Sequence, residues 1–322
     1  MSDFENDPQQ YDHDDKSQFD DKLKGTKGTY PLLSPIAAAF LGLIGGFFLY
    51  QFVGGTLTLI IFGFDLENAP LDDLRLMTMG GQILFILLPA LLFARWIYGD
   101  VSDVISVKVP KWMEILLFSV GIVVLTPMLQ SYLYIQNFYI ERLAAHVGFV
   151  NSIKSFFDSL NDMVEKTYGN LLTAKNIPEM ILVIFTIAII PAICEEVMFR
   201  GYIQRSFGFK LRPFLAALIT ALFFGLYHFN PYGLLPLTAL GLYFGFAAYL
   251  SESLVVPIVL HFLNNFAAVL LYFTIGNDEL IKSDVMDTEG LQSNIFLFIM
   301  LAILFTIVIF TIKKYYSKIK NA

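Results

Sequence analysis

Eight stretches of about twenty mostly apolar residues recur along this chain, and they restrict its fold more than any other feature. An α-helix rises about 1.5 Å per residue, so about 20 apolar residues carry it across the hydrocarbon core of a bilayer. The predicted spans are residues 34–63, 77–98, 113–135, 179–199, 213–229, 233–250, 254–275 and 295–313. We therefore predict an all-α fold, a polytopic membrane bundle of about eight transmembrane helices.

Composition supports this fold class and excludes others. Of the 322 residues, 56% are hydrophobic and only 15% are charged, whereas an average soluble domain carries about 25% charged residues. With a net charge of −7, the chain offers no basic surface of the size that nucleic acids require, so we expect no nucleic-acid partner. A single cysteine, Cys194, excludes a disulfide framework and a metal site built from several cysteines.

The chain divides into three regions. Residues 1–30 are acidic and polar, which predicts a disordered cytoplasmic tail and argues against a cleavable signal peptide. Residues 31–316 form the predicted membrane domain, and residues 317–322 form a basic cytoplasmic C-terminus. Lysines and arginines cluster before the first span, after the last span and in alternate loops, which predicts a cell-membrane protein with both termini in the cytoplasm.

The longest loop, about residues 136–178, is too polar to span the bilayer. Its apolar residues recur at helical spacing, among them Ile153, Phe156, Leu160 and Val164. This pattern predicts an amphipathic helix that lies in the outer membrane interface. Such a helix serves either as a structural connector, which we prefer, or as a lid that gates substrate.

Ionisable side chains at the centre of a bilayer cost about 2.5–3.5 kcal/mol each on insertion scales, so those inside the spans need an explanation. They and their amide neighbours are Glu195, Glu196 and Arg200 in the fourth span, His228 in the fifth, and His261, Asn264 and Asn265 in the seventh. Either histidine alone is more often a hydrogen-bond partner between helices. Three spans that each supply catalytic-type side chains are harder to explain as packing.

Helical spacing separates the two glutamates. Glu196 and Arg200 are four residues apart on one face, so they are placed to form an ion pair. Glu195 is rotated by about 100° and faces another helix, with Phe199 at its own i+4 position. A carboxylate without a counter-ion can act as a general base on water. The alternative is two structural acids in a salt network between helices.

His261 and Asn265 share one face of the seventh span, with Asn264 as the neighbouring alternative. An imidazole and an amide side by side can donate two hydrogen bonds to a developing oxyanion. His228 could orient a water beside Glu195. Cys194 has no obvious basic partner and is predicted to be inert, and Glu252 lies in a turn that predicts a solvated acid.

Other hydrolase signatures are missing from the sequence. It contains no H-E-x-x-H of zinc proteases, no G-x-S-x-G serine elbow and no Gly-x-Gly-Asp of aspartyl intramembrane proteases. The polar groups in the fourth, fifth and seventh spans therefore belong to a different chemistry.

These groups resemble the three motifs of the CPBP (Abi) family, which includes the CAAX prenyl endopeptidases. The motifs are E-E-x-x-x-R at Glu195, Glu196 and Arg200, F-x-x-x-H at Phe224 and His228, and H-x-x-x-N at His261 and Asn265. All three occur in order, each in a hydrophobic span, within a CPBP-like catalytic core at residues 179–275. The combination is specific, although any one motif is weak.

The resemblance implies a glutamate-dependent intramembrane endopeptidase with an eight-helix architecture. Glu195 would be the general base, His228 would help to activate the water, and His261 and Asn265 would form the oxyanion hole. Glu196 and Arg200 would support them. The substrate would be a membrane-associated protein or peptide, either with a lipidated, CAAX-like tail or a short peptide precursor.

Members of this family are commonly labelled metalloproteases, so a cofactor has to be considered. Glu195, His228 and His261 could supply a zinc set of two histidines and one glutamate with an open position. No two of them share the short spacing of zinc-protease motifs, and a metal-free scheme accounts better for Asn265. We therefore expect no obligate cofactor, with zinc as the alternative.

Two further expectations concern geometry and rival functions. With the predicted boundaries, His228 lies deeper from the inner face than Glu195, so the two can meet only if the fourth span is deeper or tilted, or the fifth is short and inclined. The main rival function is a non-catalytic membrane scaffold, such as a sensor or immunity protein on the same fold. A transporter with a proton-relay glutamate is a third possibility, but the sequence shows no paired half-length segments.

Overall fold

The computed structural model describes residues 31–64, 69–275 and 288–320. The predicted tail at 1–30 and residues 321–322 of the predicted C-terminal region lie outside these ranges. The helices are α1 (Pro35–Phe62), α2 (Leu71–Tyr98), α3 (Trp112–Ala144), α4 (Gly148–Leu172), α5 (Ile177–Gly208), α6 (Pro213–Tyr227), α7 (Leu234–Ser251), α8 (Val255–Ile275) and α9 (Thr288–Lys320). A short 3₁₀ turn, Val101–Asp103, lies between α2 and α3.

The predicted fold class is confirmed. Seven of the described helices are long and apolar enough to cross a membrane, and α6 is a further apolar helix of fifteen residues. The chain is thus a multi-pass membrane protein with an all-helical membrane domain over the described residues. The count of about eight spans is reached when the short α6 is included.

Several helix ends differ from the predicted spans. Helix α5 continues to Gly208, and α3 continues to Ala144, because hydropathy detects only the most apolar part of a helix. The predicted loop at 136–178 is therefore too long, since its first part belongs to α3. Helix α6 stops at Tyr227, earlier than predicted, because Phe229 adopts a left-handed conformation with φ of 51°.

Buried apolar side chains form two clusters. The first joins α1, α2, α5 and α6, and the second joins α3, α7, α8 and α9. Two polar side chains of α5 bond the backbone of α7 across the boundary. Arg200 Nη2 donates to the Gly241 carbonyl and Gln204 Nε2 to the Gly245 carbonyl, each at 2.9 Å. Both pairs are spaced i,i+4, so the two helices are held in register.

Three of the long helices widen into π-helical turns, and α1 contains two of these turns, at 41–45 and 48–54. Another occupies residues 83–87 of α2, and α5 contains two, at 185–189 and 197–203. The turns at 83–87 and 185–189 are followed closely by Pro89 and Pro191. A proline inside a helix has no N–H and clashes with the carbonyl four residues earlier, and a π turn relieves that clash.

Helix α4 is the predicted amphipathic helix, and its C-terminal end is fixed to α2 by a buried arginine. Arg75 is fully buried and donates from Nε to the Leu171 carbonyl at 3.1 Å and from Nη2 to the Thr173 carbonyl. Its Nη1 pairs with Asp72 at 2.6 Å. The last carbonyls of a helix lack partners within it, and a cation there also suits the helix dipole.

Candidate active site

The sequence-predicted site residues lie on α5, α6 and α8 at compatible depths. Glu195 precedes the end of α5 at Gly208 by thirteen residues, which is about 20 Å of helix. His228 follows Pro213, the start of α6, by fifteen residues, or about 22 Å. Glu195 and His228 can therefore lie at similar depths, because α5 extends further than the predicted fourth span.

Glu196 has two partners, and both contact the same carboxylate oxygen. Its Oε1 accepts a hydrogen bond from Arg200 Nη1 at 2.8 Å, and His261 Nδ1 lies 2.8 Å from the same oxygen. Its side chain is completely buried. The ion pair predicted from the i,i+4 spacing is confirmed, whereas the contact with His261 joins two motifs that the sequence treats separately.

Aromatic rings surround the Arg200 guanidinium. Its central carbon lies 4.5 Å from the centre of the Phe224 ring and 5.4 Å from that of Phe244. Contacts of this kind stabilise a desolvated cation by up to about 2 kcal/mol. Arg200 is thus fixed by a carboxylate, a backbone carbonyl and two rings, which makes it a structural centre of the bundle.

His261 is oriented by Glu196 and by ring stacking. Its ring stacks on Phe244 with centres 5.3 Å apart. Because Nδ1 faces a carboxylate oxygen, that nitrogen carries a proton. Donation to an oxyanion, the chemistry assigned to His261 from sequence, therefore falls to Nε2 and requires the doubly protonated imidazolium form, with which the Glu196 carboxylate is placed to pair.

Asn265 is anchored by a carbonyl of α5. Its Nδ2 donates to the Ile187 carbonyl at 2.9 Å, and its Oδ1 accepts from Asn264 Nδ2 at 3.2 Å. Ile187 lies four residues before Pro191, which has no N–H to donate to that carbonyl. The proline in the sequence thus accounts for the anchor. One N–H of the Asn265 amide remains for another acceptor.

His228 caps α6 and contacts the same ring as His261. Its Nδ1 lies 2.7 Å from the Phe224 carbonyl, so Nδ1 carries the proton and Nε2 of the neutral ring is an acceptor. The centres of the His228 and His261 rings lie 4.8 and 5.9 Å from that of Phe224. The structure therefore brings the second and third motifs together around one aromatic side chain.

Glu195 has a different environment from Glu196. Its Oε1 accepts a hydrogen bond from Gln82 Nε2 of α2 at 3.0 Å. Its Oε2 is buried and has no hydrogen-bond partner among the described residues. Tyr50 of α1 lies near both Gln82 and Glu195. Tyr168 of α4 is close as well. Burial and the nearby Glu195 carboxylate raise the pKa of Tyr168 to about 12.

Sequence reasoning missed three of these neighbours: Gln82, Tyr50 and Tyr168. The available signal was a lone glutamine inside an apolar span, since Gln82 is followed by sixteen residues of which only Arg95 is charged. The two tyrosines carried no signal, because tyrosine is common in this chain and tolerated near membrane interfaces.

The proposed zinc ligands are not gathered into a metal-binding group. In the described parts of the chain, no three His, Cys, Asp or Glu side chains lie close enough together to hold a metal ion. Because Glu195, His228 and His261 are not gathered into such a group in this arrangement, we derive no step through a metal.

An apolar cavity of about 470 Å³ lies beside the loop that follows α6. Its walls include Phe47 of α1, Leu160 of α4, and Phe223, Tyr227 and Phe229 of α6 and its loop. The cavity is the size of a small ligand pocket. Tyr227 and Phe229, the chain neighbours of His228, contribute to its wall, whereas His228 itself does not.

The comparisons with known proteins agree with this picture. Residues 177–267, which run from α5 to α8, match the family model described as Type II CAAX prenyl endopeptidase Rce1-like. The protein described as "Putative membrane peptidase YdiL" from Bacillus subtilis (strain 168) is 31% identical over 124 residues, covering 38% of this chain. The chain spans only about half, 50%, of that relative's length. No solved structure matches.

The matched segment contains all three sequence motifs and the contacts among Glu196, Arg200 and His261. The comparisons therefore agree with the resemblance drawn from the motifs. Over the segment from α5 to α8, this multi-pass membrane protein is similar to the Rce1-like CAAX prenyl endopeptidase family and to the protein described as "Putative membrane peptidase YdiL".

Proposed function

We propose that the protein is an intramembrane endopeptidase that hydrolyses a peptide bond with a water activated by Glu195. One observation carries the proposal. Of two adjacent glutamates, Glu196 pairs through Oε1 with Arg200 and His261, whereas the half-buried Glu195 bonds only the neutral amide of Gln82. The Oε2 atoms of both glutamates lack a partner among the described residues, so the contrast lies in the charge of the partners. A packing role explains the first glutamate but not the second.

In the proposed reaction, Glu195 Oε2 accepts a proton from water while the water oxygen bonds to the scissile carbonyl carbon. The carbonyl oxygen becomes an oxyanion and accepts hydrogen bonds from His261 and from the remaining N–H of Asn265. The C–N bond then breaks, and the proton held by Glu195 passes to the departing amine. His228, whose Nε2 is an acceptor, helps to orient the water.

The substrate in this proposal is a membrane-associated protein or peptide that enters in an extended form. A peptide bond inside an intact helix is already hydrogen-bonded and dry, so an extended segment is easier to cleave. The apolar cavity beside His228 suits the apolar part of such a substrate, either a lipidated CAAX-like tail or the side chains of a peptide precursor. The enzyme would act in the cell membrane with both termini in the cytoplasm.

The test compares the membrane proteomes of cells that carry the wild-type protein or Glu195→Gln. We expect at least one membrane protein or peptide to be shortened at its C-terminus only with the wild type. Glu252→Gln is the matched control, since Glu252 is 62% exposed and pairs with Lys108 at the surface. A phenotype that survives Glu195→Gln with no shortened product would favour the scaffold or sensor function instead.

A further inference from the structure

Gln82 of α2 is the polar residue that the three family motifs do not include, yet it contacts Glu195 directly. Gln82 is only 6% exposed, and its Nε2 donates to Glu195 Oε1 at 3.0 Å. Burying an amide in an apolar helix is unfavourable unless it is hydrogen-bonded, by about 1–3 kcal/mol on protein scales. A simple packing position on α2 would therefore be filled by an apolar residue.

Two buried acceptors remain at this contact. Gln82 Oε1 and Glu195 Oε2 each have no hydrogen-bond partner among the described residues. Each oxygen shares its carbon with an atom of the 3.0 Å bond, so both belong to the same contact. Two acceptors cannot bond each other, but one water can donate a hydrogen to each, and buried polar groups are commonly satisfied in this way.

The charge of the partner matters for a base. Arg200 holds Glu196 with a full positive charge at 2.8 Å, so this carboxylate is committed to the ion pair. Gln82 holds Glu195 with a neutral amide, so the carboxylate is oriented but still able to accept a proton. The two adjacent glutamates thus receive partners suited to different tasks.

Gln82 and Glu195 both lie just before a π turn of their own helix. Gln82 is the last residue before the π turn at 83–87, and Glu196, next to Glu195, is the last residue before the π turn at 197–203. Such turns are frequent at functional sites because they redirect the side chains beside them. The neighbouring Gly81 leaves room for the Tyr50 ring, which would lie 3.5 Å from a Cβ added there.

We infer that Gln82 is a positioning residue of this site, which orients Glu195 and, together with Glu195 Oε2, holds the water that attacks the substrate. The inference rests on the proposed peptidase function and adds α2 to the machinery. It also gives a reason for the polar residue within an otherwise apolar stretch of the second span.

The first experiment needs no substrate. Infrared titration of the protein in lipid films follows the carboxyl stretch that Glu195→Gln removes. In Gln82→Leu, the loss of a donor to the carboxylate should change the frequency of this band, because a hydrogen bond to a carboxylate oxygen alters its stretch. Gln130→Leu, which changes an exposed glutamine of α3, should leave the band unchanged.

The second experiment measures turnover of the shortened substrate in vesicles. Gln82→Leu should lower kcat by about 10- to 100-fold with little change in KM, because it misplaces the base rather than the substrate. Gln82→Glu should restore activity only at acidic pH, where the two carboxyl groups share a proton and keep their hydrogen bond. The rate of the Gln82→Leu variant should also fall more steeply than that of the wild type as the pH is lowered.

The outcomes separate the two proposals. If Glu195→Gln retains full turnover, the proposed function is wrong whatever Gln82 does. If Glu195→Gln is inactive but Gln82→Leu keeps the wild-type rate, pH profile and carboxyl band, the peptidase stands and the role of Gln82 is refuted. A Gln82→Leu protein that is less stable but titrates and turns over like the wild type would also refute it, since that is the behaviour of a packing residue.

Discussion

Glu195 and Glu196 are neighbours in the chain but belong to two different parts of the molecule. Glu196 faces α8, where it pairs with Arg200 and His261 in a region closed by Phe224 and Phe244. Glu195 faces α2, where a neutral amide and two nearby tyrosines surround it. The comparison teaches that one step of about 100° around a helix can separate a structural carboxylate from one available for chemistry.

The largest expected effect is the loss of turnover in Glu195→Gln. Removing a general base typically lowers a rate by about 10²–10⁴-fold. The variant should stay folded, because the amide can still accept from Gln82 and no counter-ion is left unpaired. Parallel measurement of substrate shortening and of thermal unfolding in detergent checks both halves of this prediction.

The second-largest expected effect is a loss of stability in Glu196→Ala. This change leaves Arg200 buried without its carboxylate, a penalty of about 3–5 kcal/mol for a well-buried pair. Unfolding in mixed detergent micelles should therefore shift strongly, while Glu195→Gln, which keeps an acceptor for Gln82 Nε2, should shift it little. Equal destabilisation of the two variants would contradict the division between the two glutamates. Combining Glu196→Gln with Arg200→Met should recover part of the lost stability, because both charges are then removed together.

A smaller loss of turnover is expected for Asn265→Ala. As one oxyanion donor its removal should cost about 10²–10³ in kcat, the usual scale for a single donor. The change also leaves the Ile187 carbonyl without its 2.9 Å partner, so some destabilisation should accompany it. Thr126→Val is a useful control, because it removes only the hydroxyl that donates to Asn264. Equal kcat in Asn265→Ala and the wild type would exclude the oxyanion role.

A weak effect of pH is expected on the stability of helix α4. Partial burial acts to raise the pKa of Asp158, but hydrogen bonds from Lys154 and Tyr232 outweigh it and hold that pKa below the usual 3.8. This stabilisation is therefore present above about pH 4 and is lost as the pH falls through the lowered pKa.

Because these groups are partly exposed, the contribution should be at most about 1 kcal/mol. Hydrogen exchange of residues 148–172 should rise slightly in Asp158→Asn at neutral pH, and in the wild type only once the pH falls below the lowered pKa of Asp158. Arg75→Met should loosen the same helix more, because Arg75 is fully buried. Exchange that is unaffected by both substitutions would show that these contacts do not hold α4.

The smallest expected effect is that of metal removal. A reaction carried by Glu195, His228 and water should proceed at nearly the same rate after treatment with a chelator. Purified protein should contain far less than one equivalent of zinc. One tightly held zinc per chain, lost in His261→Ala, would contradict the metal-free scheme but leave the peptidase assignment in place.

The sequence predicted what lies along one helix better than what lies between helices. The Glu196–Arg200 pair follows from i,i+4 spacing and is present at 2.8 Å. The contact of Glu196 with His261 could not be predicted, because spacing says nothing about which faces of α5 and α8 meet. The partner of Glu195 was missed for the same reason, since Gln82 is 113 residues away in the chain.

Helix lengths show the same limit. Hydropathy found every apolar helix of the described chain, but it placed the end of α5 at residue 199 and the structure places it at Gly208. That difference sets the depth of Glu195 relative to His228. The end of α6 depended on one left-handed residue, Phe229, which no hydropathy pattern reports.

The short helix α6 has a consequence for the membrane around the protein. Fifteen residues span about 22 Å, which is about 8 Å less than the usual hydrocarbon thickness of about 30 Å. Lipids beside α6 must therefore compress or tilt to match it, and headgroups descend toward the loop that carries His228. In the proposed reaction, a hydrophilic scissile segment would meet the site where the hydrophobic barrier is thinnest, so hydrophobic mismatch, rather than transport to the midplane, would bring substrate and water together.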